Sequence, residues 1–214
     1  MNSTYITFPC GNVTLEGELH LPQESGSFPG VVVCHTHPLY GGDMFSSVVV
    51  AVCQVLSLHS IAALRFNFRG VGECGGDFGG GIAEQEDVRA ALAFVLSTPD
   101  IDSKKIGLAG YSFGARVAMP VALQDKRIKL LALISPPLSD SGWEQLKKDR
   151  KSKYLIVGES DASIPLEYFQ QHIKDIPDPE QYQVVSGDDH FWWGHEGEVA
   201  QKVTRFFASG FGLV

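Results

Sequence analysis

From residue 30 onward, short β-branched runs alternate with longer runs that have helical spacing, and this alternation limits what the chain can fold into. "GVVVCH" (30–35), "IAALRFNF" (61–68), "KIGLAG" (105–110), "IKLLALISPP" (128–137), "KYLIVGES" (153–160) and "QYQVVSG" (181–187) read as strands. Between them, "MFSSVVVAVCQVLSLH", "IAEQEDVRAALAFVLS" and "FGARVAMPVALQ" read as helices. So do "PLEYFQQHIKDI" and the closing "EGEVAQKVTRFFASG", with a short helix or loop at "SDSGWEQLKKDR". Strands that are apolar throughout, rather than alternating, are buried on both faces. Each is followed by a helix long enough to cross back, so the sheet is expected to be mostly parallel with helices on both faces. Before residue 30, "TYITFPC" and "VTLEGELHLP" do alternate and are joined by Gly11-Asn12, the signature of an antiparallel hairpin. No linker, repeat or low-complexity tract interrupts the pattern, so residues 1–214 are read as a single α/β domain. One local conflict is Pro120, which is expected to kink or shorten the helix that contains it.

Composition excludes some classes of function. The formal net charge is −8, which argues against a general affinity for nucleic acid or an anionic membrane. The first residues lack the basic-then-apolar layout of a signal peptide. The long apolar run "SSVVVAVCQVLSLHSIAAL" contains Gln54 and His59 and is soon followed by Arg65, so it reads as a buried helix and strand rather than a span. Cys10, Cys34, Cys53 and Cys74 form no C-x-x-C pair, and free thiols in a reducing cytoplasm are expected.

The segment "GLAGYSFGARVAM" (107–119) carries the sharpest chemical signal. Gly110-Tyr111-Ser112-Phe113-Gly114 has the form G-x-S-x-G at a strand-to-helix junction. The turn leaves no room for side chains two residues either side of the serine, which accounts for both glycines. It projects the hydroxyl of Ser112 above the C-terminal edge of the sheet, where open α/β sheets bind ligands. The helix N-terminus behind it favours developing negative charge.

With this motif in place the chain resembles the α/β-hydrolase superfamily along nearly its whole length. It is most similar to small lidless esterases of the dienelactone-hydrolase type, whose first loop reads H-x-H-P-x-x-G-G. Here that loop is His35-Thr36-His37-Pro38-Leu39-Tyr40-Gly41-Gly42, and "FNFRGVG" (66–72) also follows the family pattern. A serine nucleophile needs a base, and the resemblance implies His190, in "SGDDHFWWG" after the last strand, with His195 as the reserve. The base needs an acid, and the family's acid lies in the loop that here holds Asp161, with Glu159 second. Asp188 and Asp189 adjoin His190 too closely in sequence to orient it and are read as polar loop residues. For the oxyanion, one donor is expected to be the Phe113 N–H. The resemblance gives the other to Leu39, or to Tyr40 if the register differs by one; Pro38 has no N–H to offer.

Other features read more plainly. His35 and His37 have no accompanying cysteine or acid cluster, so no metal is expected there and a role in holding the oxyanion loop is. "RGVGECGGDFGGG" has neither G-K-[ST] nor dinucleotide spacing, so no nucleotide cofactor is expected. Arg69 reads as an anchor to Glu84 or Asp87. Relatives commonly carry serine where this chain has Cys74, a thiol that could lie near the site. Between residues 135 and 153, where larger relatives insert a cap, there is room for one short helix. Tyr40, Phe191 and Trp192 are expected to contact substrate, with Trp193, Phe45 and Phe78 nearby and Trp143 placed to cover the site. The reading that follows is a serine carboxylesterase of short to medium acyl or aryl esters, acting on a small-molecule ester without a cofactor. Thioester, lactone or amide cleavage by the same residues is the alternative, and a non-catalytic binding protein on the same fold is another.

Overall fold

A computed structural model describes residues 2–177 and 182–214. The chain opens with strands β1 (Asn2–Cys10) and β2 (Val13–Leu21), turning at Gly11, whose φ of 59° suits glycine. Strand β3 (Phe28–Cys34) leads through a 3-10 turn (Pro38–Tyr40) to helix α1 (Ser47–Leu58) and β4 (Ala62–Phe66). Helix α2 (Glu84–Ser97), β5 (Ile101–Tyr111), α3 (Phe113–Gln124) and β6 (Ile128–Ile134) follow. The chain then continues through α4 (Asp140–Lys148), β7 (Ser152–Gly158), α5 (Leu166–Ile173), β8 (Tyr182–Val185) and α6 (Glu196–Phe211). Gln181, expected at the start of the last strand, lies outside the described residues.

The strands form one eight-stranded sheet in the order β1-β2-β4-β3-β5-β6-β7-β8. The β1–β2 and β2–β4 pairs are antiparallel, and every pair from β4 to β8 is parallel. The β3 run shows why the sheet is covered on both sides. Val31 and Val33 face a core built with α1 and α6, whereas Val32 and Cys34 face one built with α2 and α3. Alternate residues of a strand point to opposite faces, so a continuous Val-Val-Val-Cys run requires helices on both. The chain winds from β3 outward to β4 and then back across to β5, so the winding direction reverses at β3 and β5. Their C-terminal ends frame the crevice in which such sheets place their sites.

Two local expectations change. Helix α3 runs on past Pro120 to Gln124 rather than ending early. Pro120 removes one backbone bond, but Val117, Ala118, Val121 and Ala122 around it are all buried, and that packing holds the helix together. Strand β5 begins at Ile101, four residues before the apolar run. Ile101 is buried, but Asp102, Ser103, Lys104 and Lys105 after it are polar and at least partly exposed, so hydrophobic pattern alone could not include this stretch. The apolar run after Ser46 resolves into α1 and β4, and no described helix is long and apolar enough to cross a membrane.

Candidate active site

Ser112 occupies the turn between β5 and α3 with φ 55° and ψ −115°, a conformation costly for any residue with a side chain. The neighbouring glycines make this turn possible. A Cβ on Gly110 would lie 2.5 Å from the carbonyl carbon and oxygen of Gly114. One on Gly114 would lie 2.5 Å from the His35 carbonyl oxygen and closer still to that of Cys34. These are backbone atoms of β3 and its loop, and they cannot yield without moving the crevice itself. Gly114→Ala is therefore expected to cost about 3 kcal/mol or more in stability, measured by urea unfolding. A variant as stable as wild type would show that α3 can slide away from β3.

The hydroxyl of Ser112 lies 2.8 Å from His190 Nε2. On the far side of the ring, His190 Nδ1 lies 2.9 Å and 3.0 Å from the two carboxylate oxygens of Asp161. The Asp161 side chain is fully buried, and its Oδ1 also accepts the N–H groups of Ser163 (2.9 Å) and Ile164 (3.1 Å). Those two bonds fix the carboxylate before it meets the ring. Since a carboxylate only accepts, Nδ1 carries the proton and Nε2 presents a lone pair to the serine. The Tyr111 hydroxyl donates to the His190 carbonyl at 2.7 Å and holds the backbone of that loop. The reserve residues are engaged elsewhere. Glu159 accepts from the Ser186 hydroxyl and the Gly187 N–H, and His195 pairs with Asp188 at 3.1 Å. Asp189 accepts the N–H groups of Phe191 and Trp192 and so shapes the turn after His190.

The oxyanion side is less complete. The Phe113 N–H opens α3 and has no intrahelical acceptor. Neither proposed partner across the crevice has a free N–H. That of Leu39 donates to His37 Nδ1 at 3.3 Å, and that of Tyr40 to the His37 carbonyl at 3.0 Å. The cause is the 3-10 turn at Pro38–Tyr40, which His37 caps and which folds these donors back on their own loop. Burial is the larger cause holding the His37 ring below the usual imidazole range, with the Arg116 charge second, so Nδ1 is kept as an acceptor.

His35 secures the base of this loop. Its Nδ1–H donates to the Thr36 carbonyl at 2.7 Å and its Nε2 accepts the Phe68 N–H at 3.1 Å. Both nitrogens are satisfied only while the ring is neutral, and burial pushes its pKa down to about 4. Unfolded histidine titrates near 6.5, so below that pH the unfolded chain binds a proton that the folded chain refuses. Stability is therefore expected to fall as pH drops from about 6.5 to 4, by up to about 3 kcal/mol from this ring. His35→Gln should lose most of that slope in urea midpoints measured across the range. An unaltered slope would place the acid sensitivity elsewhere.

A cleft of about 620 Å³ opens over Ser112, walled by His37, Tyr40, Phe113, Arg116, His190, Phe191 and Trp193 among others. Tyr40 and Phe191, expected to contact substrate, line this cleft. Trp192 does not: it is wholly buried in the core beside α6, its Nε1 donating to Ser135 Oγ at 3.2 Å. A positive φ of 59° at Trp192 turns the chain, so Trp193 reaches the cleft instead. Trp143 is also fully buried, against Phe169 and His172, and covers nothing. Phe45 lies under the Arg65 guanidinium, away from the cleft wall, while Phe78 packs behind the wall on His37 and Phe113. Arg69 pairs with Asp87, and Glu84 instead accepts the N–H groups of Gly79 and Gly81. Cys74 does not line the cleft; it is a structural link, accepting the Glu16 N–H and donating to the Asn67 carbonyl. Trp193 was expected near the site, whereas Arg116 and Ser163, which also line the cleft, carry no sequence expectation. Arg116 could have carried one, because it lies one helical turn after Ser112.

Comparison with solved structures places the chain in a family. An alpha-beta serine hydrolase homologue from Coxiella burnetii is 30% identical, with a TM-score of 0.86, over 96% of this chain and 97% of its own. The chain belongs to the α/β serine hydrolases. A second member, from Xanthomonas campestris, is described as lacking a lid. It is 25% identical with a TM-score of 0.78, over 100% of this chain and 95% of its own. An uncharacterised protein of Rickettsia prowazekii is 29% identical over 96% of this chain and 88% of its own. Residues 88–189 also match the family described as BAAT / Acyl-CoA thioester hydrolase C terminal. This α/β serine hydrolase has only the short α4 between β6 and β7, and its cleft is open.

Proposed function

We propose that the chain is a carboxylic ester hydrolase using Ser112 as nucleophile, His190 as general base and Asp161 as the acid that orients it. The observation that carries this reading is the continuous chain of contacts from Ser112 Oγ through His190 to buried Asp161. In this mechanism His190 Nε2 takes the Ser112 proton as Oγ attacks the carbonyl. The imidazolium returns that proton to the departing alcohol, leaving an acyl group on Ser112. Water, deprotonated by the same nitrogen, then releases the acid. The Phe113 N–H donates to the oxyanion throughout. The second donor in this scheme is the Leu39 N–H, released from a long 3.3 Å bond to His37 when a better acceptor arrives.

Tyr40, Phe191 and Trp193 give the open cleft an aromatic rim, which suits short or medium acyl chains and aryl groups. A second reading is thioester cleavage, favoured by the match of residues 88–189 to an acyl-CoA thioester hydrolase family. The same residues serve, and the thiolate leaves with less need of the His190 proton. The test is kcat/KM for p-nitrophenyl esters from acetate to palmitate, beside acyl-CoA thioesters of equal chain length. A maximum among the short oxygen esters supports the first reading, and faster thioesters the second. No turnover of either class by folded protein contradicts both.

A further inference from the structure

Arg116 stands out among the groups lining the cleft. It is the one Lys, Arg, Asp or Glu among the described lining residues, in a chain of net charge −8. It is exposed, and no ion pair or hydrogen bond satisfies it among the described residues. Glu84, the acid that holds Gly81, is engaged with the Gly79 and Gly81 N–H groups (2.6 and 2.7 Å) and makes no ion pair with Arg116. The guanidinium is nonetheless held in place. Its central carbon lies 5.1 Å from the centre of the Phe113 ring, and one nitrogen lies so near Gly81 that a Cβ there would be 3.1 Å away. Leaning on Phe113 carries it back toward the helix N-terminus, as long helical side chains do. It therefore lies toward the Ser112 end of α3, within about one turn, or about 5 Å along the axis.

An unpaired planar cation resting on an aromatic ring one helical turn from a nucleophile matches a carboxylate, which it can grip through two parallel hydrogen bonds. We infer that the site prefers anionic esters whose carboxylate falls beside Arg116 while the scissile carbonyl faces Ser112. The inference rests on the proposed role of Ser112 and names the substrate class for it. The carboxylate has two possible sources, the acyl chain or the leaving group.

The test compares charged and neutral partners in wild type, Arg116→Gln and Arg116→Lys. One arm is p-nitrophenyl hemiglutarate against p-nitrophenyl butyrate, and the other is 4-carboxyphenyl butyrate against phenyl butyrate. On the arm that matches the natural source, the charged-to-neutral ratio of kcat/KM should fall about tenfold in Arg116→Gln. Arg116→Lys should lie between, and added salt should shrink the difference because the group is exposed. Glutamine is a good helix former, so the exposed turn survives the change. Ratios that move less than about twofold on both arms overturn the inference.

A binding experiment separates its failure from that of the proposed function. In Ser112→Ala protein, monomethyl glutarate is titrated by tryptophan fluorescence, since Trp193 is on the wall and 75% exposed while Trp143 and Trp192 are buried. About tenfold weaker binding after adding Arg116→Gln supports the carboxylate site even if no ester is turned over. Equal binding with and without Arg116 overturns it, whatever the esterase activity.

Discussion

Ser112→Ala is expected to lower kcat for ester hydrolysis by roughly 10^4–10^6-fold while leaving the fold intact. The magnitude follows from what remains. The Phe113 N–H, the cleft and the His190–Asp161 pair remain, but the hydroxyl held against His190 is gone, so no acyl intermediate forms on it and water must attack the ester directly. The change removes one oxygen from a half-buried side chain and breaks one hydrogen bond, the 2.8 Å contact to His190. Alanine tolerates the φ of 55° no better than serine, so the melting temperature should stay within a few degrees. A variant that keeps its circular dichroism and loses its turnover fits this account. One that keeps more than about a tenth of wild-type kcat does not.

Asp161→Asn comes second, with an expected loss of about 10^3–10^4-fold in kcat. The carboxylate accepts from three N–H groups at once: His190 Nδ1, Ser163 and Ile164. An amide has one oxygen and one NH2. If its oxygen stays with the Ser163 and Ile164 N–H groups, its NH2 turns to His190 and donates to Nδ1. The ring then carries its proton on Nε2 and cannot take one from Ser112. The imidazolium formed during attack also loses its neighbouring negative charge. The loss should appear in kcat far more than in KM, because Asp161 does not face the cleft. An equal loss in binding alone would mean that Asp161 shapes the pocket rather than the base.

Much of this site was legible in sequence because its parts depend on local rules. The G-x-S-x-G turn is set by backbone collisions at Gly110 and Gly114, and these leave a mark in composition. The alternation of apolar runs predicted the parallel sheet for a similar reason, since Val31, Val32 and Val33 must each find a covered face. The misplacements have one common cause. Which of two adjacent aromatics enters the cleft depends on the φ of a single residue, as at Trp192 and Trp193, and hydrophobicity is blind to that angle. The oxyanion loop shows the same limit. H-x-H-P marks the loop, but it does not say that His37 folds the Leu39 and Tyr40 N–H groups back onto itself. Pro120 is the reverse case, a strong local signal overruled by the buried residues on either side of it.

The most direct test of the central claim is intact-mass spectrometry of the protein after incubation with a fluorophosphonate, followed by peptide mapping. Such reagents trap a serine only when a neighbouring base has activated it. The account predicts a single adduct on the peptide bearing Ser112, absent from Ser112→Ala and strongly slowed in Asp161→Asn. Folded wild-type protein that gains no adduct, or gains one on another residue, would contradict it.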